Sequence, residues 1–315
     1  MTSVDQDPRT TFLSRLDIDA CRVEFSSAPV VLLCGGQVEF NAPPGTSLKS
    51  LRHAIATSTT DFELFRPEEI TGWQADGVFT DLMSFERELA SICSLVVIIL
   101  ESEGALVELG AFSQLSELSE KIIAIRSSHY ANHDSFINLG ILRFITSKNA
   151  SSVKSYPWEI KRPEAISAEI TQDVIADIKD ELSKQPQTQS LRLTKNSHVI
   201  ALICELVRLF IALKEHEILD FLLLAGVSTT KDHLRGQLFL LTEFRLIRKQ
   251  EYSDAVFYMR SDEPYHKLRI AMRDKSLHID QLRFETQFSE YYLANPGKHR
   301  NRNRAIAAAK KGAVK

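Results

Sequence analysis

Short, continuous apolar runs that alternate with helix-period segments constrain this chain more than any other feature. Pro29-Val30-Val31-Leu32-Leu33-Cys34 opens the series and Gly35-Gly36 stops it. A run of that length suits a strand buried on both faces. Ser47 to Thr57 then places Leu48, Leu51 and Ile55 at helical spacing, and Phe62-Glu63-Leu64-Phe65 reads as a second short strand closed by Arg66-Pro67. Phe85 to Ile92 is helical again, Leu95 to Leu100 is a third strand, Leu106 to Leu118 a third helix, and Lys121 to Ile125 a fourth strand. This alternation predicts an α/β fold with a parallel, doubly wound sheet carrying helices on both faces.

Pro163 opens an amphipathic helix to about Lys184, with Ile166, Ile170, Val174, Ile178 and Leu182 on one stripe and Glu169, Asp173 and Asp177 opposite. Gln185 to Ser190 lacks charge and large apolar groups, so a domain boundary is expected there, within a linker at 185–196. Beyond it, Val199 to Leu213, Glu215 to Ala225 and Thr229 to Phe244 read as helices. Leu246 to Lys249 and Val256 to Met259 read as strands joined through Ser253-Asp254. Three helices followed by a hairpin is the winged-helix order, which a plain helical bundle shares in large part.

At 315 residues, 44% hydrophobic and 25% charged, the composition fits two ordinary domains and excludes disorder, collagen or coiled coil as a description of the whole chain. The formal net charge is −3, yet Lys298 to Lys315 holds seven Lys/Arg and no acid, which leaves about −10 on residues 1–297. The cysteines at 21, 34, 93 and 204 lack metal-ligand spacing, and no basic-then-apolar leader opens the sequence. The expectation is a cytoplasmic protein without a disulfide framework. Leu95 to Leu100 is far shorter than the roughly 20 apolar residues that cross a bilayer, so no membrane partner is expected.

The densest chemistry lies in Leu100-Glu101-Ser102-Glu103-Gly104-Ala105-Leu106-Val107-Glu108-Leu109-Gly110-Ala111-Phe112. It is the turn leaving the third strand and the start of the next helix, and parallel α/β sheets bind ligands beyond the carboxyl ends of their strands. Glu101 and Glu103 either line that mouth or simply favour a helix N-terminus. Glu108 differs, because it interrupts an apolar helix face, where a carboxylate is paired or working. Gly35-Gly36 either lets a ligand approach the backbone or makes a tight turn. Dinucleotide-fingerprint, P-loop, Gly-x-Ser-x-Gly and His-Glu-x-x-His patterns are absent, and His129, His133 and His216 read as surface residues, so no metal site is expected.

Leu33-Cys34-Gly35-Gly36, Ser50-Leu51-Arg52-His53, Phe65-Arg66-Pro67-Glu68, Ser84-Phe85-Glu86, the Glu101-to-Phe112 stretch and Ser135-Phe136-Ile137-Asn138 with Gly140 together resemble the effector proteins of type II retrons. The resemblance covers about residues 28–150, and 190–290 by pattern. It implies a polar N-terminal segment (1–28), a nucleoside 2-deoxyribosyltransferase-like, Rossmann-like domain with a C-terminal helix (29–184), the linker, a winged-helix-like nucleic-acid-binding domain (197–290) and a basic tail (291–315). It also implies that Glu108 is the nucleophile attacking the anomeric carbon, with Glu101 and Ser102 as further catalytic candidates. Cys34, Gly35, Gly36, Arg52, Glu68, Glu86, Gly104 and Asn138 would line or brace the substrate pocket. Asn138 would complete a site that in this enzyme family often belongs to a neighbouring subunit, and Arg52 reads equally as a surface ion-pair residue. A carboxylate suits the chemistry because it stabilises an oxocarbenium-like sugar and splits the reaction through a covalent intermediate.

Two departures bear on the substrate. The deoxyribosyltransferases carry aspartates where this chain has Ser94 and Ser102, and those aspartates assist base protonation or positioning. Glu101 stands one residue away and is the expected replacement acid. Retron effectors of this kind are associated with cleavage of NAD, whose cationic nicotinamide leaves without a proton. The resemblance therefore implies an anti-phage toxin that hydrolyses NAD to nicotinamide and ADP-ribose, with NAD as substrate and no cofactor. The alternatives are a nucleoside 2-deoxyribosyltransferase or nucleotide N-glycosidase, and a catalytically inactive nucleotide-sensing DNA-binding regulator. The implied partners are the retron reverse transcriptase with its multicopy single-stranded DNA and non-coding RNA, and further copies of the chain in an oligomer. Lys231, Arg235, Arg245, Arg248 and Lys249 would contact phosphates if the winged-helix reading holds, and Arg300, Arg302 and Arg304 of the tail add an electrostatic footprint.

Overall fold

Helix α1 (Pro8–Ser14) comes first among the described residues, started by Asp7, whose side chain accepts the Arg9 N–H, and by Pro8 at the first helical position. Strand β1 (Arg22–Glu24) follows, and the first long apolar run then forms β2 (Val30–Cys34). The computed structural model describes residues 7–26, 29–39, 43, 45–70, 72, 77–261, 266–275 and 280–312. Residues 1–6, 27 and 28 of the expected polar segment and 313–315 of the basic tail lie outside the described residues. The chain forms two units, one from 27–71 and 81–185 and the other from 1–26, 72–80 and 186–315.

The first unit runs β2, α2 (Leu51–Ala56), β3 (Glu63–Phe65), α3 (Leu82–Ile92), β4 (Leu95–Ile99), α4 (Glu103–Ser113), α5 (Ser116–Ser119), β5 (Ile122–Ser127), α6 (Arg143–Lys148), β6 (Val153–Tyr156) and α7 (Ala168–Ser183). A π-helical turn, Ile137–Leu142, leads into α6. The five strands are all parallel, in the order β3-β2-β4-β5-β6. Strand order therefore reverses between β2 and β4, the place where an open parallel sheet leaves a ligand crevice. Every residue of β4 is buried, as a two-faced strand requires. Val31, Leu33, Val97, Ile99, Ile123 and Ile125 pack in one core with Leu51 and Ile55 of α2 and Val174 and Ile178 of α7.

Three local expectations change. The helix read over 106–118 is two helices, because Leu115 is extended and breaks it after Ser113. The long helix begins at Ala168, behind a Ser167 cap, with Pro163–Ala165 forming a separate 3-10 turn. The fifth strand, Val153-Lys154-Ser155-Tyr156, carries no apolar run in the sequence because it is short, mixed in polarity and lies at the sheet edge.

In the second unit the expected linker is partly a strand, β7 (Thr188–Ser190), which pairs with β1. Helix α8 (Asn196–Leu209), strand β8 (Ala212–Leu213), α9 (Glu215–Ala225), α10 (Lys231–Glu243), β9 (Ile247–Tyr252) and β10 (Ala255–Arg260) follow. The helix read to Leu213 stops at Leu209, and Ile211, at φ 67°, turns the chain so that Ala212 and Leu213 pair with Met259 and Tyr258. Strand β11 (Lys267–Arg269) pairs with the other edge of β1. The N-terminal residues thus supply a central strand, with Phe12, Leu13, Leu16 and Val23 buried. The described residues end in α11 (Gln281–Ala294) and α12 (Pro296–Gly312), so the described part of the expected basic tail is largely helical. Among the described residues no helix is long and apolar enough to cross a membrane.

Candidate active site

At the carboxyl ends of β2 and β4 the chain gathers one guanidinium and several carboxylates. Arg52, in the first turn of α2, is only 4% exposed. Its Nη1 and Nη2 donate to the two oxygens of Glu68 at 2.8 and 2.7 Å, its Nε to the Leu33 carbonyl at 2.9 Å, and Nη1 also to the Gly36 carbonyl at 3.3 Å. It is therefore buried among these acceptors rather than a surface ion-pair residue. Glu68 keeps half of its side chain in solvent.

The two glycines are explained by the protein's own close packing. A Cβ on Gly35 would stand 3.1 Å from the Cβ atoms of Arg52 and Ile99, and one on Gly36 would stand 2.8 Å from the Ser50 Cβ and 3.0 Å from the Glu101 Cγ. The Gly104 position is roomy by comparison, its nearest neighbour being the Ser102 hydroxyl at 4.0 Å.

Glu101 is committed to structure. One oxygen accepts the Gly36 N–H at 3.1 Å and the Arg52 N–H at 3.0 Å, and the other accepts the Leu51 N–H at 2.8 Å. Burial pushes this carboxyl up, while the three N–H donors pull it down, and burial prevails. A group anchored by both oxygens to the start of α2 has no free geometry for passing a proton to a leaving group, so the expected acid role is not what this arrangement provides. Ser102 is likewise a tie. Its hydroxyl donates to the Gly35 carbonyl at 3.1 Å and accepts the Ala105 N–H at 3.2 Å, capping α4.

Glu108 lies in the middle of α4, half-buried, with one carboxylate oxygen buried and without a hydrogen-bond partner. Burial raises its carboxyl, Arg52 and the Cys34 thiol, which donates to it, oppose that shift, and Glu68 adds to it. Burial and the Glu108 charge hold the Cys34 thiol well above its ordinary value, so it stays protonated as a donor. Glu86, on α3, is pushed up to about 7, first by burial and then by Glu108 and Glu68, with Arg52 opposing. Arg52, Glu68, Glu86, Glu108 and Cys34 are thus electrostatically one cluster. The capacity of Glu86 to hold a proton near neutrality is the feature that sequence reasoning missed, its only signal being a carboxylate next to the buried Phe85 of α3.

Asn138 lies elsewhere. Its Oδ1 accepts from Arg126 at 2.7 Å and its Nδ2 donates to the Tyr130 and His133 carbonyls at 2.8 and 2.7 Å. With Arg126, Tyr130, His133, Ser102 and Leu106 it borders a cavity of about 340 Å³ beyond β4 and β5. Glu108 turns instead toward Cys34. Among the described residues no group of three or more His, Cys, Asp or Glu is arranged to hold a metal ion.

The basic residues of the second unit separate sharply. Arg235 leans on Glu215 at 3.0 Å and on Asp232 at 3.9 Å, Lys231 on Glu215 at 3.9 Å, and Lys249 on Glu251 at 3.1 Å. Arg302 is a correction. It is 4% exposed and ion-paired with Glu217, which Arg9 also grips at 2.8 Å, so it is unavailable to phosphates. Burial tends to raise the Glu217 carboxyl, but the two guanidiniums hold it below its usual range. Arg248, Arg300 and Arg304 are exposed.

A five-stranded parallel sheet with a carboxylate cluster at its switch point is compatible with the Rossmann-like class of α/β ligand-binding folds. The model of the STM3845 retron effector protein family matches residues 48–249, well over half of the chain, and the chain belongs to that family. Two curated Escherichia coli relatives agree. The chain is 32% identical over 127 residues to the "Retron Ec86 putative ribosyltransferase/DNA-binding protein", covering 39% of each chain. It is 26% identical over 202 residues to the "Retron Ec73 putative ribosyltransferase/DNA-binding protein", covering 59% of this chain and 62% of the relative. These matches span less than two thirds of either relative.

Proposed function

We propose that this retron effector is an anti-phage toxin whose α/β unit breaks an N-glycosidic bond, with Glu108 as nucleophile and NAD as substrate. The observation that carries the reading is the unpartnered, buried oxygen of Glu108 inside a cluster braced by Arg52. Glu108 attacks the anomeric carbon, the carbon–nitrogen bond breaks, and nicotinamide leaves as a neutral ring carrying the bond's electron pair. Water then attacks the same carbon, releasing ADP-ribose and restoring the carboxylate, while ionised Glu86 accepts the water's proton. Arg52 limits the repulsion among the carboxylates, and Cys34 steadies the nucleophile.

A second reading has a specific observation in its favour. Glu86, titrating near 7, can deliver a proton to a neutral leaving base, so the loss of aspartates at 94 and 102 does not by itself disfavour nucleoside 2-deoxyribosyl transfer or nucleotide N-glycosidase activity. For the second unit, the order α8, β8, α9, α10, β9, β10 supports a winged helix, and the relatives' names support DNA binding. The partners are then the retron reverse transcriptase and its RNA–DNA product, which hold the toxin silent.

Chromatography of small molecules after incubating the full chain, alone and with its retron particle, with NAD and with deoxynucleosides tests this. Nicotinamide release that disappears in Glu108→Gln is the expected result. Exchanged nucleosides or free base favour the second reading. Turnover that survives Glu108→Gln overturns the nucleophile assignment, and ligand binding without turnover in any mixture indicates a sensing domain.

A further inference from the structure

We infer that the nucleic-acid backbone is gripped by the outward face of α12 together with the edge strand β9, and not by α10. This rests on the reading that the second unit binds nucleic acid. Between Pro296 and Gly312 there is no acidic residue. The inward side of α12 is fixed: Ala305 and Ala309 pack with Ala212, Ala255, Phe257 and Met259, while Arg302 is ion-paired to Glu217. Arg300 and Arg304 therefore project from the opposite side, four residues and about 6 Å of helix rise apart.

The sheet register adds a third cation. Arg248 pairs across the ladder with Met259, and directly opposed residues share a sheet face, so Arg248 lies on the face that α12 covers. Strand β9 is an edge of its sheet, and Arg248 is exposed there. Among the described residues no ion pair engages Arg248, Arg300 or Arg304. At the hairpin turn, Asp254 accepts from Asn301 of α12 at 3.2 Å.

The α10 face is different in kind. Lys231, Arg235 and Lys249 each lean on an acid of the same unit, so an approaching phosphate meets pairs that must first be opened. On the α12 face it meets uncompensated guanidiniums on an anchored helix. Two like charges at i and i+4 repel on a helix, a repulsion that phosphate contact relieves. Guanidiniums placed this way neutralise phosphates without reading bases, so the grip is independent of sequence.

Fluorescence anisotropy of a labelled 20-base-pair DNA duplex with the full chain, titrated from 50 to 200 mM salt, decides the matter. Three phosphate contacts contribute roughly 2–3 to the slope of log affinity against log salt, which is about a 40-fold loss over that range. The triple variant Arg248→Gln, Arg300→Gln, Arg304→Gln is expected to lose that share of the slope, whereas Lys231→Gln with Arg235→Gln keeps it. All five positions are exposed, and circular dichroism verifies that both variants stay folded. An unchanged slope in the triple variant, or its loss in the α10 variant, overturns the inference while leaving nucleic-acid binding intact. Absence of duplex binding by the unaltered chain overturns both.

Discussion

Replacing Glu86 by Gln separates the electrostatics of the carboxylate cluster from its packing. Burial, then Glu108 and Glu68, push the Glu86 carboxyl from 4.5 to about 7. An acid raised in this way binds its proton more tightly in the folded chain than in the unfolded one. Its contribution to stability is whole below about pH 4.5 and is lost as pH rises through 7. The raised value corresponds to about 3 kcal/mol at 1.36 kcal/mol per unit, and partial solvent screening brings this to about 2 kcal/mol. The amide keeps the shape and never ionises. Glu86→Gln should therefore match the parent near pH 4 and exceed its unfolding free energy by about 2 kcal/mol at pH 8. Urea unfolding followed by the fluorescence of Trp158, buried in the core of the α/β unit, measures this in a Trp73→Phe background. Glu101 and Glu108 are shifted in the same direction but are present in both proteins, and relieving Glu108 of a charged neighbour reinforces the difference. An equal offset at pH 4 and pH 8, or a less stable variant at pH 8, would refute the coupling.

Three further outcomes follow from the same contacts. Glu101→Ala deprives the Gly36, Leu51 and Arg52 amides of their acceptor, and a loss of about 2–4 kcal/mol is expected, read by calorimetry as a Tm lowered by roughly 5–15 °C. Glu108→Gln removes a carboxylate that burial disfavours, so at pH 8 it should melt no lower than the parent even though turnover is gone. Glu217→Gln leaves Arg302 buried without a counter-charge and Arg9 with Asp7 alone. Denaturant unfolding should show a cost of about 3–5 kcal/mol, part of which returns when Arg302→Met is added.

The parts of the fold legible in the sequence are those whose signal is local. Val30 to Cys34 and Leu95 to Ile99 are continuous apolar runs because both of their faces are covered, and the parallel sheet follows from their alternation with helices. Strand β1 was invisible for the opposite reason. Its three residues are ordinary in composition and become a central strand only through partners more than 160 residues away. Arg302 illustrates the same limit in the site. A row of arginines in an acid-free segment reads as a uniform phosphate-binding tail, and only the position of Glu217, 85 residues earlier, turns one of them inward.

Glu101 and Glu86 divide the work differently from what spacing suggests. Proximity in sequence to the proposed nucleophile favours Glu101 as the acid, but both of its oxygens hold the Gly36 turn to the start of α2. That bond set fixes Arg52, and Arg52 in turn moderates the field acting on Glu68, Glu86 and Glu108. The proton-holding role passes to Glu86, which burial and two neighbouring carboxylates keep near neutrality. On the proposed reading, a site built in this way keeps Glu108 as nucleophile and Glu86 as titrating partner without the two aspartates. Its choice between a cationic and a neutral leaving group therefore turns on which form of Glu86 is present when the bond breaks. Nicotinamide release should persist above pH 7, where Glu86 is ionised, whereas expulsion of a neutral base should decline there.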